Sequence, residues 1–594
     1  IQGSAGEPCA ALATGLRLAP GAAAERVFLL GWASDAAGAR ALVDAAAALP
    51  APLRLQQAQA RWAALLGAAT VRTPDPLFDA LVNGWLLYQT VACRLWAKAA
   101  FYQAGGATGF RDQLQDAMAL AWAAPGLLRS QILLCASRQF AEGDVQHWWH
   151  APLGAGVRTR FSDDLLWLPY ALVHYLHASE DAALLDESVA FLDGPPIAEG
   201  AEDLYDTPTV SLQQASVYEH AARAIDHSLR VGAHGLPLMG SGDWNDGMNR
   251  VGIGGRGESV WLAWFLCRLV EDFGPVALRR GDTARAHRWA GAAQGWRAAL
   301  QGPAWDGRWY RRAYFDDGTA LGADGQAEAR IDLIAQAWAV LSGVAPADRQ
   351  AQALEAVQAE LVDTEAGLLR LLTPPLARAE PSAGYIQAYP PGVRENGGQY
   401  SHAGVWGLMA QLAWAKGQPD AAAVEAGLAR AWQWFEYLSP AHRAARPRQA
   451  AVYEIEPYVM AGDVYSAAPY VGRGGWSWYT GSAAWMHRAA IESILGLTLG
   501  AHRLRVDPGL PPHWPRAELT LRRDGRTLRF LLLRSPAATA LQAAGDWCTA
   551  QRPRLLRPGQ VLEWAALEGQ ACFVVPLGPV GPAGAAAPGK PATG

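Results

Sequence analysis

From about residue 75 to about 500, stretches with apolar positions at helical spacing alternate with loops rich in Gly, Pro and Asp. The pattern predicts helices near 77–98, 112–123, 127–140, 164–178, 181–192, 211–230, 257–273, 283–301, 330–343, 347–361, 402–415, 419–437 and 482–495. About a dozen helices with no convincing strands between them suit six helix pairs closed into a toroid, a closure that periodicity cannot itself show. Three connecting loops are long, 141–163, 231–256 and 375–400. Long ordered loops on a rigid scaffold are where active sites tend to be built.

The two ends read differently. Residues 1–34 predict strands and turns: Ala11 to Leu18 alternates, a Pro20-Gly21 turn follows, and Val27-Phe28-Leu29-Leu30-Gly31 is an apolar strand. Residues 35–74 are Ala-rich and predict a helical linker, broken at Pro50 to Pro52. After Gly500 alternation returns in Leu504 to Pro508, Glu518 to Leu521 and Thr527 to Leu533, which predicts a small β domain over 501–576. Residues 577–594 are mostly Gly, Pro and Ala and predict a disordered tail. The chain opens on Ile1 and reads from the start like the interior of a longer protein.

Composition narrows the class. With 51% hydrophobic and 18% charged residues, the 594-residue chain can bury a large core. A net charge of −5 leaves no basic footprint for nucleic acid. No apolar run is long enough to span a membrane, and nothing resembles a signal peptide. Cys9, Cys93, Cys135, Cys267, Cys548 and Cys572 are scattered without metal-type spacing, which predicts free thiols and a reducing, cytoplasmic compartment. The 26 tryptophans stand out. They fill a large helical core, or they offer indole faces to the C–H faces of pyranose rings.

Three segments carry candidate chemistry. In Gly240-Ser241-Gly242-Asp243-Trp244-Asn245-Asp246-Gly247, a turn is one reading and a calcium loop a poor one, since position twelve is Gly254. No metal is therefore expected. The functional reading sets an acid beside an indole, whose low polarity would raise the acid's pKa toward that of a proton donor. Pro391 to His402 packs Arg394, Glu395, Asn396, Gln399, Tyr400 and His402 into one loop, a density of polar groups that is costly to bury unsatisfied. Gly472 to Ser482 fails the dinucleotide pattern, but Thr480-Gly481-Ser482 leads into a helix, either as an ordinary cap or as an anion site. Phe110 to Asp116 and Arg158 to Trp167 are weaker, each read better, on its own, as a charged helix start.

Together and in this order, these segments resemble glycoside hydrolase family 94, the inverting cellobiose, chitobiose and β-1,2-glucan phosphorylases, over about residues 10–575. Tyr205 to Val210, His234 to Met239 and Gly255 to Leu262 are most similar to the C-terminal phosphorylase region of cyclic β-1,2-glucan synthases. The resemblance implies a mainly α fold: an (α/α)6 barrel over 75–500, a remnant N-terminal β-sandwich edge over 1–34 and the small C-terminal β domain. It implies Asp246 as general acid, Trp244, Arg111 and Asp116 on the donor sugar, and Arg394 and Glu395 nearer the acceptor. His402, Thr480 and Gly481 would bind phosphate, the co-substrate, and no further cofactor is implied. The expected partners are a β-glucan oligosaccharide and a second copy of the chain, and the parent is expected to be a membrane-bound synthase with this piece facing the cytoplasm.

The chemistry is coherent. An inverting hydrolase needs an acid and a carboxylate base to activate water. Phosphate is already an anion, so one acid suffices if a cationic, N–H-rich pocket holds it on the opposite face of the sugar; His402, which can carry positive charge near neutral pH, and the helix start at Thr480 would be that pocket. Two rivals stand: an inverting hydrolase with Glu395 as its base, and a non-catalytic glucan-binding module.

Overall fold

In the computed structural model, residues 11–99, 105–549, 551–567 and 569–578 are described. The chain divides into two compact units, 1–65 and 66–594. In the first, the helices Ala36–Ala47 and Ala51–Leu66 form as the Ala-rich sequence requires, the former capped by Asp35, which accepts from the Gly38 amide at 2.7 Å. Of the strands expected within 1–34, residues 11–34 form none here, and 1–10 lie outside the described residues. Alternation supplies a face, but a strand also needs a neighbour to complete its ladder, and among the described residues none pairs with this segment.

In the second unit, six helices follow one another in contact. Phe110–Ala117 packs on Trp167–Ala178, which packs on Val260–Arg279; Leu333–Leu341, Ser401–Lys416 and Ser482–Arg488 continue the series. The last returns to the first, so the cycle of contacts closes. Six further helical segments lie against this ring: the run 76–97, Pro125–Ala136, Val217–His227, Thr283–Gln301, Ala347–Ala356 and Ala421–Leu438. The ring helices are apolar on nearly every side, as in Val260 to Leu266, where all seven residues are buried.

Tryptophan fills the middle. At least twelve of the 26 are fully buried, which favours core filling for that group. Trp406 is the hub, with Trp167, Trp261, Trp338 and Trp485 around it at ring separations of 5.3 to 6.3 Å.

The segment after Gly500 forms sheets. A five-stranded sheet runs in the order Ala69–Arg72, Arg516–Arg523, Arg526–Leu533, Cys572–Pro576, Arg554–Leu555. Ala69–Arg72 belongs to the expected helical linker; it is instead an edge strand, because Arg516–Arg523 offers it an antiparallel partner from far along the chain. Cys548 and Cys572 form a disulfide, which corrects the reading of all six cysteines as free thiols. The fold brings together two sulfurs whose separation in sequence signals nothing. Cys93, Cys135 and Cys267 are free, and Cys9 and the expected tail beyond 578 lie outside the described residues.

Candidate active site

The functional segments meet at one end of the ring because they sit at the starts of its helices. Arg111 is in the first turn of Phe110–Ala117, Asp163 lies just before Trp167–Ala178, and Ser259 caps Val260–Arg279. Asp332 caps Leu333–Leu341, His402 is the second residue of Ser401–Lys416, and Gly481 precedes Ser482–Arg488. Helix starts carry unpaired N–H groups and partial positive charge, so this end of the ring favours anions.

The acid loop is bound on both sides. Gly240 and Gly242 have φ of +65° and +140°, and a Cβ on Gly240 would fall 2.1 Å from the Arg160 carbonyl oxygen. That carbonyl accepts from the Ser241 amide, so only glycine permits the approach. Asp243 is fully buried and accepts two hydrogen bonds from Arg312, each of 2.6 Å, and one from Ser259 Oγ at 2.7 Å. Burial opposes its charge, but Arg312 and these hydrogen bonds hold its pKa below the usual value.

Asp246 then opens a short 3-10 turn, Asp246–Met248. Its carboxylate accepts from Arg111 Nη2 at 2.6 Å and lies 3.6 Å from His147 Nε2. The expected environment is thereby corrected. The Trp244 indole packs on Tyr400, His402 and Trp406, while cations face the Asp246 carboxylate. Trp244 and Asp246 are two residues apart, and the turn between them sends the side chains different ways.

Arg111 donates to two carboxylates, Asp163 at 3.0 Å and Asp246 at 2.6 Å, and to the main-chain carbonyl of Asp243 at 3.1 Å. Asp116 is fully buried and accepts from Arg94 Nε at 2.6 Å, leaving Oδ1 without a partner. Burial pushes the Asp116 pKa up to about 6 despite Arg94. Gly481 lies against it: a Cβ there would be 2.9 Å from Asp116 Oδ1 and 3.1 Å from His402 Nδ1.

His402 corrects a second expectation. It was expected to carry positive charge near neutral pH. Burial, foremost, and the charges of Arg94, Arg111 and Arg488 push its pKa down to about 3, so the imidazole is neutral. The rings of Trp244, Trp406 and Trp485 enclose it, and its Nε2 has no partner. Thr480 Oγ1 accepts from the Ser482 amide at 3.2 Å and pairs with Ser482 Oγ at 2.9 Å.

Arg394 stands at φ 53°, its amide donating to Asp463 Oδ2 at 2.6 Å. Its guanidinium lies between the rings of Tyr389 and Trp476, 4.6 and 4.7 Å from their centroids. It also reaches Glu395 at 3.3 Å. Burial raises the Glu395 pKa, Arg394 opposes the shift, and the Asp246 charge adds to it, so both carboxylates share one electrostatic environment.

The structure adds residues that the motifs missed. Arg94, Arg312 and His147 each ion-pair with a motif carboxylate. His147 lies inside the long loop 141–163, which was the only available signal; Arg94 and Arg312 sit in segments that read as ordinary helix and turn.

The chain is similar over most of its length to known proteins. The chain is 45% identical over 530 residues to the cyclic beta-(1,2)-glucan synthase NdvB of Rhizobium meliloti, covering 89% of this chain and 18% of that protein. It is 32% identical over 493 residues to solabiose phosphorylase of Paenibacillus borealis, covering 82% and 58%. It is 30% identical over 536 residues to 3-O-beta-D-glucopyranosyl-beta-D-glucuronide phosphorylase of the same organism, covering 89% and 64%. The chain thus spans under a fifth of the synthase and about six tenths of each phosphorylase. The supersandwich domain profile of glycosyl hydrolase 94 matches residues 1–48, and the catalytic domain profile of the superfamily matches 61–496. The chain belongs to the glycosyl hydrolase 94 superfamily.

Proposed function

We propose that the chain catalyses inverting phosphorolysis of β-linked glucooligosaccharides, β-1,2-linked ones in particular, to α-glucose 1-phosphate. The observation that carries this reading is the convergence at Gly481. Asp116, read as a donor-sugar ligand, and His402, read as a phosphate ligand, both come within contact of one glycine at a helix start. That juxtaposition suits a sugar carbon and an attacking phosphate held side by side. The closed cycle of helix contacts supports an (α/α)6 barrel as the scaffold.

Asp246 gives its proton to the departing glycosidic oxygen, and Arg111 and Asp116 hold the hydroxyls of the donor sugar. Trp244 lines the donor site from the aromatic core. Phosphate is held by the N–H group of Gly481, the Thr480 hydroxyl and the neutral His402 imidazole as a donor. Arg394 and Glu395 bind the acceptor sugar.

The likeness to the synthase supports placing the chain as the phosphorolytic, cytoplasm-facing part of a membrane-bound cyclic glucan synthase, where it trims linear chains. No helix among the described residues is long and apolar enough to cross a membrane. The test is incubation with β-1,2-, β-1,3- and β-1,4-glucooligosaccharides, with and without phosphate. Glucose 1-phosphate formed only with phosphate, and foremost from the β-1,2 series, is expected. Glucose released at the same rate without phosphate overturns the reading.

A further inference from the structure

We propose that His147 returns the proton to Asp246 in each turnover, with Asp164 orienting the imidazole. The inference rests on the reading of Asp246 as proton donor.

Backbone geometry is the first support. His147 lies on the strand Gln146–His150, which is paired on both edges, with Ala107–Gly109 and Ala155–Thr159. Gln146 faces Arg158 and Trp148 faces Val157, so His147 is an extra residue with no partner opposite it. Such a bulge re-aims a side chain, and bulges are over-represented beside active sites. The bulged side chain points at the acid: Nδ1 lies 2.7 Å from Asp164 Oδ2, and Nε2 lies 3.6 Å from Asp246 Oδ2. The Phe161 ring meets the imidazole edge-on at 4.8 Å and fixes its plane.

The two oxygens of Asp246 are addressed by different cations. Arg111 takes Oδ1, and His147 faces Oδ2. A guanidinium does not release its proton in a protein, whereas an imidazolium does. Of the two, only His147 can exchange a proton with the acid. Its charged surroundings are Asp164, Asp246, Arg111 and Asp112. Burial disfavours the imidazolium, but Asp164 and Asp246 outweigh it and raise the pKa to about 9. The side chain keeps 17% of its surface exposed, enough to exchange with water.

The proton inventory requires a proton source for Asp246 in each turnover. Hydrogen phosphate attacks from one face of the sugar while the glycosidic oxygen leaves from the other, so phosphate cannot hand its proton directly to that oxygen. In the proposed step the His147 Nε2–H bond breaks and an O–H bond forms on Asp246 Oδ2. That proton passes to the glycosidic oxygen as the C–O bond breaks and its electron pair stays on oxygen. The imidazole takes a new proton from water, and the phosphate hydroxyl proton is released to water as the C–O bond to phosphate forms. No proton is gained or lost overall.

The test is phosphorolysis of β-1,2-glucooligosaccharides by the full chain and its His147→Gln, Asp164→Asn and Asp246→Asn variants. Rates are followed from about pH 6 to about pH 10, the span over which a stabilised imidazolium titrates. His147→Gln is expected to lower kcat by roughly 10- to 100-fold, part of what positioned proton transfer contributes. It should also lose the alkaline limb of the kcat profile, regain rate with added imidazole, and leave the sugar KM nearly unchanged. Asp164→Asn should move the alkaline limb to lower pH. A His147→Gln variant with full kcat, or with a loss equal at every pH and unmoved by imidazole, overturns the proposal. An Asp246→Asn variant with full activity overturns the acid assignment instead. A readout free of turnover is the NMR titration of the His147 ring. Its pKa should fall in Asp246→Asn, since a neighbouring negative charge is gone, and an unchanged value overturns the pairing.

Discussion

Arg312 grips Asp243 through two hydrogen bonds of 2.6 Å, with both side chains almost wholly out of solvent. The pair anchors the loop that presents Asp246 three residues later. Replacing Arg312 with Met would leave Asp243 buried and uncompensated. Breaking such a pair costs about 3–5 kcal/mol, and a lowered urea midpoint should show it. The Asp243 pKa is depressed in the folded chain. Its stabilisation is therefore present above the ordinary carboxylate range and lost as pH falls through the depressed value, an acid-side loss that the variant should lack. An unchanged midpoint would show that the pair contributes little.

Asp246→Asn keeps the shape of the acid and removes its proton. Phosphorolysis should slow by roughly 10²–10⁴, the range for general acid catalysis. Sugar binding should persist, because Arg111 still meets an amide oxygen at that position. Near-complete activity in glucose 1-phosphate release would remove Asp246 from the role.

His402→Ala should raise the phosphate KM far more than the sugar KM. With a pKa near 3, His402 stays neutral from mildly acidic to alkaline pH. The phosphate KM should therefore show no inflection near 6.5 from this residue, and steady-state profiles in wild type and variant check it. Equal changes in both KM values would place phosphate elsewhere.

Gly481→Ala puts a methyl group 2.9 Å from Asp116 Oδ1 and 3.1 Å from His402 Nδ1. Both side chains are enclosed, so neither can retreat easily. The expected result is at least tenfold weaker phosphate use, about 1.4 kcal/mol or more, together with a lowered unfolding temperature from the overpacking. Full activity would show that the space beside Gly481 is not used.

Much of the candidate site is local in sequence and was legible there. Asp243-Trp244-Asn245-Asp246, Arg394-Glu395 and Thr480-Gly481-Ser482 are contiguous, and turn glycines and helix caps act over a few residues. The alternation of apolar helix and polar loop likewise implied a helical scaffold with its site on the loops. Expectations failed wherever the outcome depended on what lies opposite. Residues 11–34 alternate yet form no strand, and Ala69–Arg72 pairs with a segment more than 400 residues away.

The same division runs through the site. The sequence by itself determined which acids, hydroxyls and glycines stand at the helix starts, since capping and turn formation are decided by near neighbours. Only the tertiary structure decided their charge and company. His402 is neutral because three indoles enclose it, Asp246 faces Arg111 and His147 rather than Trp244, and Cys548 meets Cys572. Burial and Coulomb interaction depend on distance in space, and for these residues folding alone sets that distance.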